Sequence, residues 1–369
     1  MPDEPWLRYW GSDPRPWLRA SAEAPARWLC SVELDGVPAP QIEKIRRTVV
    51  RDASVQRLIE RLPDWDLGLG GSGHESPGCG PNVLNLLAEL GVGAGDDKRI
   101  ERLLDQMLER QDEAGRFLSF GPVPGSEAAV WGAVACDTHA VAEVLVRFGR
   151  ADHPRVRQAL GHMATMLSAT PQGAGWQCAP HTATGWRGPG RKHDVCPQVT
   201  LEALRTFARV PEQRRPPGLL DAARTSLAVW RRRATEHPYM FGHGVSFKTI
   251  KWPPVWYGVW TVLDTVGRYP QLWSGPQARV EDRRAVAELV ACLVAYNVAA
   301  DGTVTPRSCY RGFAGFSFGT KKQPSPIATA MTAAIARRFA TIADEVEGVD
   351  VLKLDSSRGN RQPVGPRAG

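Results

Sequence analysis

Residues 185–196 read Gly-Trp-Arg-Gly-Pro-Gly-Arg-Lys-His-Asp-Val-Cys, which places three fixed cations, an imidazole, a carboxylate and a thiol in twelve positions. Asp194 and Cys196 are two apart, just before a helix-like segment that opens at Pro197. An extended backbone there turns both side chains to one side. A carboxylate oxygen and a thiolate sulfur so placed could form half of a zinc site, at ligand distances of about 2.0–2.3 Å. Arg187, Arg191 and Lys192 beside them would suit a phosphate-bearing ligand. The competing reading is a basic surface loop that ends in a buried cysteine.

A second concentration lies further on. His237-Pro238-Tyr239-Met240-Phe241-Gly242-His243-Gly244 is followed by Phe247-Lys248 and Lys251-Trp252-Pro253-Pro254, denser in aromatic, glycine and basic residues than a plain connector requires. Glycines on both sides let the backbone carry His243 into a cavity, although a solvent-exposed turn histidine fits the same pattern. The stretch 307–322 has a similar character, and both are expected at one mouth of the scaffold. Other clusters have plainer explanations. His74-Glu75 reads as a capped loop, Asp64-Trp65-Asp66 as a solvated turn, and Cys178-Ala179-Pro180-His181 lacks the second pair of a metal site. Gly70-Gly71 lacks the lysine and hydroxyl of a phosphate-cradling loop.

The elements that must position these residues are helices. In 369 residues, 43% hydrophobic and 23% charged, helix-like periodicity covers 41–62 (broken near Ala53), 82–90, 96–111, 137–148, 154–167, 197–207, 219–233, 256–266, 282–297 and 325–345. Asp96 is placed to cap one of them, Gly91 and Gly149 follow two others, and Pro154 suits a first turn. Strand-like alternation is scarce, with Thr303-Val304-Thr305 the best short candidate. Arg99-Ile100, Leu104 and Met107 match Arg155-Val156, Leu160 and Met163 at one constant offset, and each set is closed by a glycine-plus-aromatic loop. Weaker copies continue towards the C-terminus. Helix pairs repeated in this way bury their faces against neighbours, either in an open solenoid or in a closed ring.

The net charge of +7 favours an anionic partner, yet no zinc-finger spacing, aromatic RNA-binding pattern or basic heptad points to nucleic acid. No apolar run is long enough for a membrane span. Seven scattered cysteines and no basic-then-apolar leader suggest reduced thiols and a cytoplasmic chain. Thirteen tryptophans serve mostly as core packing, with a subset expected to line a cavity.

Gln111-Asp112-Glu113-Ala114-Gly115-Arg116-Phe117 resembles the glutamine-x3-glycine-x-aromatic motif of squalene and terpene cyclases and their relatives. Cys136-Asp137-Thr138-His139-Ala140 occupies the place of their Asp-x-Asp-Asp-Thr-Ala. Residues 185–196 are similar to the zinc-binding strip of protein prenyltransferase beta subunits, which runs glycine-aromatic-x-glycine, then arginine and lysine, then Asp-x-Cys at the start of an inner helix. The resemblance spans roughly 82–345. It implies an all-α fold, an α/α toroid with inner helices around a central cavity, preceded by an irregular N-terminal appendage (1–81) and followed by a polar tail (346–369). It also implies zinc on Asp194 and Cys196, a prenyl diphosphate held by Arg191 and Lys192, and a separate partner subunit.

The departures narrow the chemistry. Cys136 stands where cyclases carry the general acid, and a thiol with a reference pKa near 8.5 is too weak to protonate an alkene. No Asp-Asp-x-x-Asp run is present for magnesium. The third zinc ligand of prenyltransferases, a histidine, is replaced by Pro253-Pro254-Val255-Trp256-Tyr257, which leaves His243 as the nearest substitute. The leading expectation is therefore an isoprenoid-handling enzyme that takes an apolar or diphosphate-bearing substrate. Asp137, Cys196 and His243 would be catalytic, Asp194, Cys196 and His243 would hold zinc, and Arg187, Arg191, Lys192, Lys248, Trp186, Trp256 and Tyr257 would bind substrate. A toroid carbohydrate hydrolase or lyase, with Asp137 opposed to Asp194 or Asp66, and a non-catalytic binding toroid are the alternatives.

Overall fold

Proline and glycine punctuate the helices. Pro81, Pro154, Pro197 and Pro326 each sit in the first turn of a helix, where a missing N–H costs nothing. Gly91 and Gly149 take positive φ at two helix ends. There the Val92 N–H reaches the Leu87 carbonyl and the Arg150 N–H the Leu145 carbonyl, so two successive units stop in the same way. The N-cap of the helix predicted to start at Asp96 is Asp97, whose carboxylate accepts from the Arg99 N–H; Asp96 instead closes the preceding turn on the Gly93 N–H.

The computed structural model describes residues 4–67, 76–123, 126–188, 191–238 and 241–356. Its first helices are α1 (Leu7–Trp10), α2 (Arg15–Arg19), α3 (Ala24–Leu29), α4 (Ala39–Val50), α5 (Ala53–Glu60) and α6 (Gly80–Glu89). Then come α7 (Lys98–Glu109), α8 (Ala135–Arg147), α9 (Pro154–Met166), α10 (Pro197–Ala208), α11 (Leu219–Arg231) and α12 (Val245–Lys248). The chain closes with α13 (Val259–Val266), α14 (Val280–Asn297), α15 (Pro326–Arg338), α16 (Ala343–Glu347) and α17 (Val351–Ser356). The long helix expected over 325–345 thus breaks after Arg338.

Helices α6, α8, α10, α13, α15 and α3 follow one another around a ring. Trp28 of α3 closes it against the C-terminal turn of α6, where a Cβ on Gly91 would lie 2.6 Å from the indole. The protein is therefore an all-α, α/α toroid. Every residue of α13 and nearly every one of α8, α10 and α15 is buried, as inner helices require. Outer helices bury a single stripe; in α7 it is Ile100, Leu103, Leu104, Met107 and Leu108. Helices α9, α11 and α14 back onto α8, α10 and α13. The glutamine motif staples one unit to the next, because Gln111 Nε2 donates to the Gly115 carbonyl and to the Arg155 carbonyl of α9. Among the described residues, strands are confined to three two-stranded ribbons. In one of them Lys251 and Trp252 pair with Ser308 and Cys309, which joins the two loops expected to share a mouth. Val304 makes only an isolated bridge to Val298.

At their C-terminal ends the inner helices are tied by ion pairs. Arg205 of α10 grips Glu143 of α8 at 3.0 Å, and Asp264 of α13 accepts from Arg268 at 2.8 Å and from Arg338 of α15 at 2.7 Å. Arg147 of α8 pairs with Glu89 of α6. Burial alone would raise the Asp264 carboxyl, but the guanidiniums of Arg268, Arg338 and Arg209 hold it far below the usual range. Its stabilisation is present above the unfolded value near 3.8 and fades as pH falls. Asp264→Asn strands those cations and should lower the unfolding free energy by about 3–5 kcal/mol in denaturant titrations near neutral pH. The loss should shrink in acid.

Candidate functional site

Reading the inner helices at the 3.6-residue period shows which side chains face the ring axis. Helix α10 contributes Gln198, Glu202 and Arg205, with Arg209 at its C-cap continuing the stripe, and α8 contributes Glu143 and Arg147. Asn82, Asn85 and Glu89 belong to α6, and Thr261 and Asp264 to α13. Glu143, Arg147, Arg205, Asp264 and the two asparagines line a chamber of about 70 Å³ on the axis, roofed by Pro253, Pro254 and Val255. Beside it lies a larger aromatic pocket of about 300 Å³, walled by Phe241, Phe247, Trp256, Tyr257, Trp260 and Tyr310. Trp260, Pro254 and Thr261 line both spaces. Lys251 sits at the rim of the pocket, its ammonium 3.8 Å from the Tyr310 ring centre.

Polar atoms around this axis are left without protein partners. Asn85 Oδ1, Gln198 Oε1, Glu202 Oε2 and Trp260 Nε1 are all buried and accept or donate no hydrogen bond. Folded proteins keep few such groups, because each forfeits its hydration. Four of them, on α6, α10 and α13, are free to receive a hydrogen-bonding ligand.

Glu202 is the axial acid whose carboxyl is raised furthest. Burial pushes its carboxyl up to about 8 despite Arg205 and the 2.7 Å hydrogen bond from Gln198, with Glu143 and Asp137 adding repulsion. It is protonated at neutral pH. Asp137, in the first turn of α8, is buried and accepts from the Ser119 hydroxyl of the hairpin formed by β1 (Ser119–Gly121) and β2 (Val130–Gly132). His181 packs so closely under that hairpin that a Cβ on Gly132 would lie 2.3 Å from its ring. The two carboxyls stand on adjacent helices, and the Asp137 charge is felt at Glu202.

The residues singled out in the sequence are dispersed by the fold. Trp256 and Tyr257 do line the aromatic pocket, and His243 sits behind it, with Nε2 2.9 Å from the Tyr257 hydroxyl and its ring against Trp230 and Phe247. Lys248 is buried with its ammonium 5.2 Å from the Tyr296 ring centre. Cys196 caps α10 and is buried, which drives its thiol well above the ordinary value. Asp194 is buried, accepts from Gln172 Nε2 and pairs with Arg191 at 3.2 Å. Arg191 and Lys192 are exposed, Arg187 donates to the Lys192 carbonyl, and Trp186 is half-buried with its carbonyl engaged by the His181 N–H. Among the described residues, no three His, Cys, Asp or Glu side chains are grouped to hold a metal ion. Asp194, Cys196 and His243 thus do not fit zinc, and the cations do not form one diphosphate clamp. Asp66 is held at the surface by Arg110. His74-Glu75 and Gly70-Gly71 lie outside the described residues.

Glu202, Gln198, Asn85 and Trp260 were missed by motif reading. Their signal was periodic: polar residues at i, i+4 and i+7 on helices otherwise apolar all round.

No family model and no curated protein matches the chain. Among solved structures it is similar to UGL with the saccharide dGlcA-Glc-Rha-Glc, at 15% identity and a TM-score of 0.45, covering 91% of this chain and 86% of that one. It is also similar to the unsaturated glucuronyl hydrolase of Bacillus sp. GL1, responsible for the degradation of glycosaminoglycan, at 14% identity and a TM-score of 0.45, covering 91% and 87%. Likeness at that level transfers no chemistry. Neither structure is a terpenoid cyclase or a prenyltransferase. An isoprenoid chain also needs an apolar lining, whereas this axis is built of amides, carboxyls and guanidiniums. The isoprenoid reading and its apolar or diphosphate-bearing substrate are therefore set aside. No helix is long and apolar enough to cross a membrane among the described residues.

Because Glu202 holds its proton to about 8 when folded but only to about 4.5 when unfolded, it contributes most below the lower value. Stability should decline as pH rises between the two. Glu202→Gln should flatten this part of the pH dependence of Tm. An unaltered slope would mean that Glu202 ionises normally.

Proposed function

We propose that this toroid is a carbohydrate-active hydrolase. The observation that carries the reading is the set of buried, unpartnered polar atoms on the ring axis next to an aromatic pocket. A sugar hydroxyl both donates and accepts, so one hydroxyl can serve Asn85 Oδ1 and Trp260 Nε1 together. The faces of Trp256, Tyr257 and Tyr310 offer flat, electron-rich surfaces to the C–H face of a pyranose. A few convergent polar groups on apolar walls are the usual make-up of a small-molecule site.

The acid–base pair would be Glu202 and Asp137. Glu202, neutral at working pH, gives its proton to the bridging oxygen as the C–O bond to the anomeric carbon breaks. Asp137 takes a proton from the water whose oxygen forms the new bond to that carbon. Both products then carry hydroxyls, and the proton taken up by Asp137 balances the one lost by Glu202. Ser119 orients the Asp137 carboxylate, and Gln198 orients Glu202.

The test is release of reducing ends from a panel of neutral and acidic oligosaccharides. Activity should appear on at least one of them, and Glu202→Gln should lower kcat by about 10²-fold or more with saccharide binding retained. No cleavage of any member, or equal activity in Glu202→Gln, would overturn the assignment.

A further inference from the structure

The C-terminal ends of the inner helices, whose Glu143, Arg147, Arg205 and Asp264 also line the axial chamber, carry a different imbalance. Each of four inner helices ends in or beside arginine: Arg147 on α8, Arg205 on α10 with Arg209 at its C-cap, Arg268 just beyond α13, and Arg338 on α15. The partial negative charge of helix C-termini favours a cation at each end. Here, however, five guanidiniums meet four carboxyls among the described residues: Glu89, Glu143, Asp264 and Glu33. Three of these are committed to close pairs. Glu33 stands 4.0 Å from Arg338, and its carboxyl is raised by burial, so it offers less than a full charge.

Arg209 is the cation left over. Among the described residues its only carboxylate contact is a 3.4 Å share of Glu143, which Arg205 already holds at two nitrogens. Burial pushes its guanidinium down to about 10, and the neighbouring Arg268 adds repulsion. Arg268 has in addition a buried Nε–H with no acceptor. The side chains of Arg209 and Arg268 remain 17% and 23% exposed, so an ion can reach them.

We infer that the C-terminal end of the ring binds a small oxyanion between Arg209 and Arg268. An oxyanion accepts from planar guanidinium forks in two directions at once. It would supply the missing negative charge and fasten α10 to α13. The inference does not depend on the hydrolase reading.

Thermal unfolding at neutral pH in inorganic phosphate, compared with sodium chloride of equal ionic strength, tests it. The wild-type chain should show a saturable rise in Tm with phosphate. Arg209→Met removes the uncompensated cation, so it should lose that rise while its Tm in chloride matches or exceeds that of the wild type. Glu33→Gln removes an opposing carboxyl and should reach half-saturation at lower phosphate. The site is refuted if the wild type gains nothing beyond chloride, or if Arg209→Met keeps the full rise. Should Arg209→Met fail to fold, the Glu33→Gln titration decides: a tighter response supports the site and an unchanged one removes it.

Discussion

The paired charges at the C-terminal ends of the inner helices are the constraint on which the rest depends. Glu143 to Arg205 ties α8 to α10, and Asp264 to Arg338 ties α13 to α15. Buried ion pairs of this kind add little net stability over apolar packing, but breaking one is expensive, so they fix which helices meet and at what height. With that end clamped, the N-terminal ends can carry groups that packing alone would reject. Glu202 stays neutral only because the ring buries it, and Asn85 Oδ1, Gln198 Oε1 and Trp260 Nε1 go unpartnered at the helices' expense.

A polar axis beside an aromatic wall is costly to maintain without a ligand, which is why it bears on function. Core positions filled with leucine would close the ring more firmly. The chain instead places amides and a carboxylic acid on the stripe and roofs them with Pro253, Pro254 and Val255. The loop that carries this roof pairs with the 308–309 strand, so the aromatic pocket and the chamber are held in one register.

Much of the scaffold could be read from the chain. The helix pairs, their glycine stops and the breaks at Ala53 and Gly149 follow from local rules, since caps and first-turn prolines act within a few residues. The residues of the site could not be read in the same way. The strip ending in Asp194 and Cys196 has the right types at a suggestive spacing, but spacing does not say where a loop folds. Arg191 turns back onto Asp194, and the thiol of Cys196 is buried at a helix cap. Glu202 carries no motif at all, and its importance arises from the helices around it. Trp256 and Tyr257 were legible as part of a dense aromatic stretch, although the helix expected from 256 begins only at Val259 and leaves them in the loop before it. His243 went with them as a packing partner.

The central claim is that the ring axis receives a hydroxyl-bearing ligand at Trp260. Its indole N–H can be followed directly by nitrogen–proton correlation spectra of labelled protein, with the resonance assigned through Trp260→Phe. Titration with oligosaccharides should move that resonance downfield and saturate, as the orphaned donor gains an acceptor. If saccharides leave the Trp260 indole unmoved while other tryptophan resonances respond, the ligand binds elsewhere and the account of the axis is wrong.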